Sequence, residues 1–137
     1  MANPGPASSV VNHPQSLLSN QAIRLLAFVQ GANVNAAGDI ALPILNSTVY
    51  SVSNVILVNA SISLSVAAAG LFTAVAAGGT AIVASGTLAA NTGSTVVSQR
   101  TVASTATSTV QNLYLNVATA QGAAATVDVY VYGYDFS

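Results

Sequence analysis

The sequence reads as an all-β domain, a sandwich or barrel, behind an extended N-terminal arm. Three observations carry that reading. Short apolar and polar alternations recur along the chain, as in Ser61 to Val66, where Ile62, Leu64 and Val66 are interleaved with serines. Gly, Asn and Ala-Gly turn residues separate these runs at the spacing of a sandwich or barrel. Val and Thr persist throughout, which fits strands and excludes a chain too poor in β-branched residues to fold. The 137 residues suffice for one core, divided into an arm over 1–20 and a domain over 21–137.

The arm holds Pro4, Pro6 and Pro14 among Asn, Ser and Gln, with the single histidine, His13, beside Pro14. Each proline removes a backbone donor and restrains its predecessor, so no regular element is expected there. Two readings stand: a frayed terminus, or an arm that orders on a neighbouring subunit. From Ala22 the expected strands are 22–29, 39–45, 49–58, 61–67, 71–76, 80–85, 94–99, 109–118 and 126–133. The first has a helical alternative, with Ser19 as cap and Ile23, Leu26 and Phe28 partly in period; strand is preferred because little else in the chain is helical. Pro43 confines the second to a sheet edge or a bulge. Asn91 to Ser94 is turn chemistry, and Thr101 to Thr109 is a polar connection with nothing to drive a core. Ala-Ala-Gly recurs at Ala36, Ala68 and Ala76 with unequal separations, marking tight turns or close backbone approaches rather than a repeat.

Charge is the scarcest commodity. Arg24, Arg100, Asp39, Asp128 and Asp135 are the only formally charged side chains, 4% of residues, with neither Lys nor Glu. Acid, base or cation catalysis, electrostatic nucleic-acid binding and steering of charged substrates all lack material. Two arginines neutralise at most two phosphates, so nucleic acid is not an expected partner. A composition that is 53% hydrophobic raises the question of a membrane. The strand period over 61–66 and the absence of flanking Lys or Arg argue against a spanning helix, and Met1 to Pro6 lacks the basic start of a signal peptide. Without a leader, the Asn46-Ser47-Thr48 and Asn59-Ala60-Ser61 triplets are not expected to be glycosylated. With no cysteine there is no disulfide frame. A net charge of −1 gives almost no colloidal repulsion, so the chain is expected to live inside an assembly.

No catalytic or cofactor-binding set emerges. His13 sits where no base is held in place, and a Ser/His/acid triad would need it. Asp128 and Asp135 are seven apart and would face opposite ways on a continuing strand. A calcium site on Asp39, Asp128 or Asp135 lacks any ligand-loop spacing, so no metal is expected. Gly78-Gly79-Thr80 lacks the Lys of a phosphate loop. Arg24 and Arg100 read as partners of Asp39 or Asp128, or as contacts to a partner protein. The last segment stands out: Val127, Val129 and Val131 share one face, while Asp128, Tyr130, Tyr132 and Tyr134 share the other. That tyrosine ridge suits an interface or a sugar-stacking platform, or is covered within the domain.

The run Gln121 to Gly133, with Val58-Asn59-Ala60-Ser61-Ile62-Ser63-Leu64, Gly70-Leu71-Phe72-Thr73-Ala74 and Gly78-Gly79, resembles a group of small proteins encoded in tailed-phage and prophage genomes, associated with capsid decoration (cement). The resemblance covers roughly residues 50 to 133. Relatives often carry Lys or Arg where this chain has Val75, Ala76 and Ala77, so a shared charged contact is not carried over. The resemblance implies an antiparallel, jelly-roll-like β-sandwich that clamps major capsid proteins on the outside of the shell, often as a trimer, after synthesis in the host cytoplasm. Expected contact residues are Tyr130, Tyr132, Tyr134, Arg24, Arg100, Pro4, Pro6, His13 and Pro14. The rival reading is a head-fibre or tail-associated module that captures glycans on the tyrosine ridge.

Overall fold

A computed structural model describes residues 23–137, and within them the chain is all β. The expected arm, 1–20, lies outside the described residues, and Pro4, Pro6, His13 and Pro14 with it. Eight strands follow in order: β1 (Arg24–Asn33), β2 (Gly38–Pro43), β3 (Tyr50–Val58), β4 (Ala68–Ala74), β5 (Gly78–Thr87), β6 (Val97–Arg100), β7 (Asn112–Thr119) and β8 (Thr126–Asp135). They form two antiparallel four-stranded sheets, sheet A in the order β1-β8-β3-β6 and sheet B in the order β2-β7-β4-β5. Every connection crosses from one sheet to the other except the β4–β5 hairpin, and the resulting order is that of an eight-stranded jelly roll.

The core lies between the sheets. Val127, Val129 and Val131 of β8 are fully buried and meet the inward residues of sheet B, among them Leu42, Leu113 and Val117. β2 is an edge strand, as its terminal Pro43 requires, because that residue has no N–H to give a further neighbour. The first segment is a strand and not the alternative helix.

One expected strand does not form. Residues 61–67 are irregular, and of the alternating trio only Leu64 is buried, while Ile62 and Val66 are exposed. The backbone groups that would enter a ladder go elsewhere. Leu64 N–H donates to Asn91 O at 3.0 Å, and the Gln121 Oε1 accepts from both Val66 N–H (3.1 Å) and Ala67 N–H (2.9 Å). Side-chain and loop partners satisfy the segment, so it needs no sheet.

The polar connection after β6 also differs from expectation. It closes one side of the sandwich: Ala103 N–H donates to Ile82 O of edge strand β5 at 2.7 Å, and Ser108 exchanges backbone bonds with Tyr50 of β3 at 2.8 and 3.0 Å. Val102 and Val110 pack against the core from this segment. The Ala-Ala-Gly patches mark a turn and a close approach, as their small side chains suggest. Ala76 and Ala77 both have positive φ in the β4–β5 turn, and a Cβ on Gly70 would stand 2.8 Å from the Phe72 ring and from backbone atoms of Val83 and Ser85.

At one end of the sandwich two buried amides, Asn91 and Gln121, tie the loops after β5 and β7 to β3 and the loop that follows it, and the Gln121 N–H joins the loop after β1 by donating to Val34 O at 2.9 Å. Asn91 Nδ2 donates to Leu57 O at 3.1 Å and its Oδ1 accepts from Ser98 Oγ at 2.5 Å. Gln121, besides its two accepted bonds, donates to Ser63 O at 3.3 Å. The other end carries the β2–β3 loop, the β6–β7 connection and both ends of the domain, while the β4–β5 turn reaches back to Asp39 of β2, which accepts the Ala76 N–H at 2.9 Å.

Candidate functional site

β8 builds the surface that the sequence singled out. Its residues alternate strictly, with Val127, Val129, Val131, Gly133 and Asp135 buried and Asp128, Tyr130, Tyr132 and Tyr134 half-buried on the outer face of sheet A. Neighbouring tyrosines on that face are two residues apart, about 7 Å along the strand. β8 is an inner strand, so its ridge is flanked on both sides. One row across the sheet reads Phe28, Tyr130, Ile56, Gln99; the next reads Leu25, Tyr132, Asn54; a third reads Asp128, Val58, Val97. Phe28 and Tyr130 stack with ring centroids 6.1 Å apart and planes 15° from parallel. Gln30 Nε2 donates to the Tyr130 hydroxyl at 2.9 Å, fixing the first ring of the ridge from β1.

The face is thus wider than its tyrosines. Phe28 at 40% and Val97 at 58% exposure extend it towards both edges, and among the described residues no other layer covers it. Sheet B is different: no large apolar side chain on its strands is exposed, and Phe72, in the row Ala41, Tyr114, Phe72, Ala81, retains only 7% of its surface. Leu25, Phe28, Ile56, Val58 and Val97 were not singled out from sequence. A signal existed in the unbroken apolar run Val55 to Val58, since a strand covered on one face alternates and a strand covered on both does not.

The charged residues stand apart from the centre of this face. Arg24 pairs with Asp135, Nη1 to Oδ2 at 3.0 Å, and not with Asp39 or Asp128; its Nη2 donates to Leu45 O at 3.0 Å. The pairing follows from topology, because β1 and β8 are antiparallel neighbours and bring the first residue of one beside the end of the other. Hydrogen bonds from the Ser137 hydroxyl foremost, then from its N–H and from Ser47, together with the Arg24 charge, hold the Asp135 carboxyl below the usual aspartate range against the opposing effect of burial. Arg100 turns inward from β6 and donates to Thr87 O of β5 at 2.7 Å, bridging the two sheets, and burial lowers its pKa. No carboxylate pairs with it among the described residues.

Asp128, at the rim of the ridge, accepts from Gly31 N–H at 2.7 Å and from Asn59 Nδ2 at 3.4 Å. Asp39 accepts from Asn116 Nδ2 at 2.8 Å and from Ala76 N–H at 2.9 Å, bonds that lower its pKa. The three aspartates therefore occupy three separate places, and no group of three metal-ligating side chains forms among the described residues. A cleft of about 230 Å³ opens between β4, β5 and the 106–110 segment, lined by the hydroxyls of Thr73, Thr80, Thr107, Ser108 and Thr109, and no ionisable group lines it. It can bind by hydrogen bonds but holds no acid, base or charge to work on a bound molecule. Among the described residues no helix is long and apolar enough to cross a membrane. Comparison with family models, with curated proteins and with solved structures gives no match.

Proposed function

We propose that the chain is a non-enzymatic virion structural protein, a capsid decoration (cement) protein made in the host cytoplasm and mounted on the outside of the shell. In this reading copies associate through apolar β surface, and the N-terminal residues reach over a neighbouring major capsid protein. The carrying observation is the outer face of sheet A. It presents three tyrosines, Phe28, Ile56 and Val97 from four strands, while every charged side chain of the domain is at the rim, at an end or turned inward. A surface so composed works by contact, since aromatic and apolar side chains dominate binding energy where charges are absent. Jelly rolls recur in viral capsid and lectin domains, an analogy of fold that agrees with this reading and does not carry it.

The mechanism is added buried area. At about 25 cal/mol per Å² of apolar surface, before the costs of association, modest contacts repeated over a shell resist its expansion. Capsids assembled with and without the chain test this. Those lacking it are expected to open at lower temperature, and equal resistance to heat and chelators would sink the cementing role.

A second reading is the head-fibre or tail-associated glycan module. It is favoured by Tyr132 and Tyr134, whose hydroxyls have no partner among the described residues and whose rings lie on an open face. A glycan array with wild type and Tyr132→Ala separates the two: a sugar signal lost in the variant supports the module, and cementing expects none.

A further inference from the structure

We infer that the outer face of sheet A is the contact between two copies of this chain, packed face to face about a twofold axis. The inference deepens the proposed association of copies by naming its surface and symmetry. It is read in solution rather than on capsids, so either can fail without the other.

Sheet A is built like the middle layer of a stack. Its inner face meets sheet B, and its outer face is also apolar along β8, β3 and the edge strands, with Tyr130 stacked on Phe28 and Ile56 beside it. A sheet with one face meant for water alternates apolar and polar residues, whereas β8 alternates valine with tyrosine. Among the described residues there is one covering layer where the sheet's composition calls for two.

Three features point to the same face of a second copy as the missing layer. The first is size. The 10, 10, 9 and 4 residues of the four strands give a footprint of roughly 550 Å² per copy, close to the ~600 Å² per partner at the lower end of stable interfaces.

The second is charge. Asp128 is the only ionisable carboxylate on the face and lies at its rim, already accepting from Gly31 and Asn59, so two copies meet without like charges at the centre. The third is polarity: Gln30, Asn54 and Gln99 border the aromatic rows, giving an amide rim around an apolar middle. A flat patch that meets its own copy is isologous, which makes the symmetry twofold. Two such sheets would pack about 10 Å apart with strands near −30°, as within a sandwich.

Sedimentation of the full-length protein tests this. Wild type is expected to be a dimer at micromolar concentration. Ile56→Lys, which places an unpaired ammonium in the centre of the contact, is expected to weaken it by at least about a hundredfold, and Ala81→Lys on the outer face of sheet B to leave it unchanged. Circular dichroism shows whether each variant folds. Should Ile56→Lys not fold, Tyr130→Ala, which removes a half-exposed ring, takes its place. The chain has no cysteine, so a single Ile56→Cys gives a second readout: near a twofold axis it meets its own counterpart and forms an intermolecular disulfide under mild oxidant, whereas Thr80→Cys does not. A monomer or a trimer of the wild type, or a dimer indifferent to a folded Ile56→Lys or Tyr130→Ala, would overturn the inference.

Discussion

Arg24 and Asp135, the first residue of β1 and the last of β8, are joined at 3.0 Å across 111 positions of sequence. The pair closes the end of sheet A at which β1 begins and β8 finishes. Ser47 Oγ donates to the same carboxylate at 2.8 Å, and Ser137 donates through both N–H and hydroxyl.

Acid should therefore loosen this end. The folded-state pKa of Asp135 is depressed, so its contribution to stability is complete above the unfolded aspartate value, near pH 4, and is lost as pH falls through the lower folded value. Urea unfolding from pH 7 to pH 2 is expected to show a decline below about pH 4 that is smaller in Asp135→Asn. At neutral pH, Asp135→Ala should cost about 1–3 kcal/mol, because the buried Ser47 hydroxyl loses its acceptor and the Arg24 and Ser137 donors lose theirs with it. Arg24→Ala should cost under about 1 kcal/mol, since a third of that side chain is exposed.

Gly133 interrupts the inward valines of β8 for a steric reason. A Cβ there would collide first with the Ser51 carbonyl oxygen of β3, a backbone atom, and would stand 2.8 Å from Leu26 Cδ1 and 2.9 Å from the Ser51 carbonyl carbon. Gly133→Ala should destabilise by about 1–3 kcal/mol through overpacking, read as a fall in the urea midpoint with unchanged slope. A loss under half a kcal/mol would mean that the β3 backbone at Ser51 shifts to make room.

The sandwich was legible wherever one face alternates against water, as in β7, and the ridge of β8 was legible because valine and tyrosine alternate. Residues 61–67 misled for the same reason. Their alternation is real, but Gln121, distant in sequence, captures two of the backbone donors and removes the need for a ladder. No local pattern reports such a partner. The Arg24 pairing was equally hidden, because it depends on which strands are neighbours. The full width of the sheet A face needed the register that sets Phe28 and Ile56 on either side of Tyr130.

Gln121→Ala should release that loop. It strips the acceptor from Val66 and from Ala67, whose residue is fully buried, at a cost of about 1–3 kcal/mol. Hydrogen exchange should quicken at Leu64, Val66 and Ala67 while β3 and β8 keep their protection. Uniform acceleration would show that the amide supports the whole sandwich and not one loop.

Ala76 and Ala77 hold φ of 57° and 56° in the two-residue turn between β4 and β5, where Gly78 N–H donates to Val75 O at 3.0 Å. Two-residue hairpin turns with both φ positive favour Asn-Gly or Gly-Gly, because a Cβ is crowded in the left-handed region. Asp39, accepting the Ala76 N–H from β2, helps hold the turn. Ala77→Gly should raise stability by about 1 kcal/mol, visible as a higher melting temperature. A fall would mean that the glycine's gain in unfolded-state freedom outweighs the relieved crowding.

Five charges in 137 residues also shape how the protein should attach. Arg24 and Asp135 satisfy each other, Arg100 spans the sheets, and Asp39 and Asp128 accept neutral donors from their own domain. None is left aimed outward from the middle of the aromatic face. Salt then has little to screen and few ions to displace, whereas apolar contacts strengthen in salts excluded from protein surface. Affinity for the assembly should change less than about threefold between low and moderate NaCl and should rise in ammonium sulfate, measured by co-sedimentation with the bound partner. Release by moderate NaCl alone would place the contact on charged groups and away from the Tyr130 row.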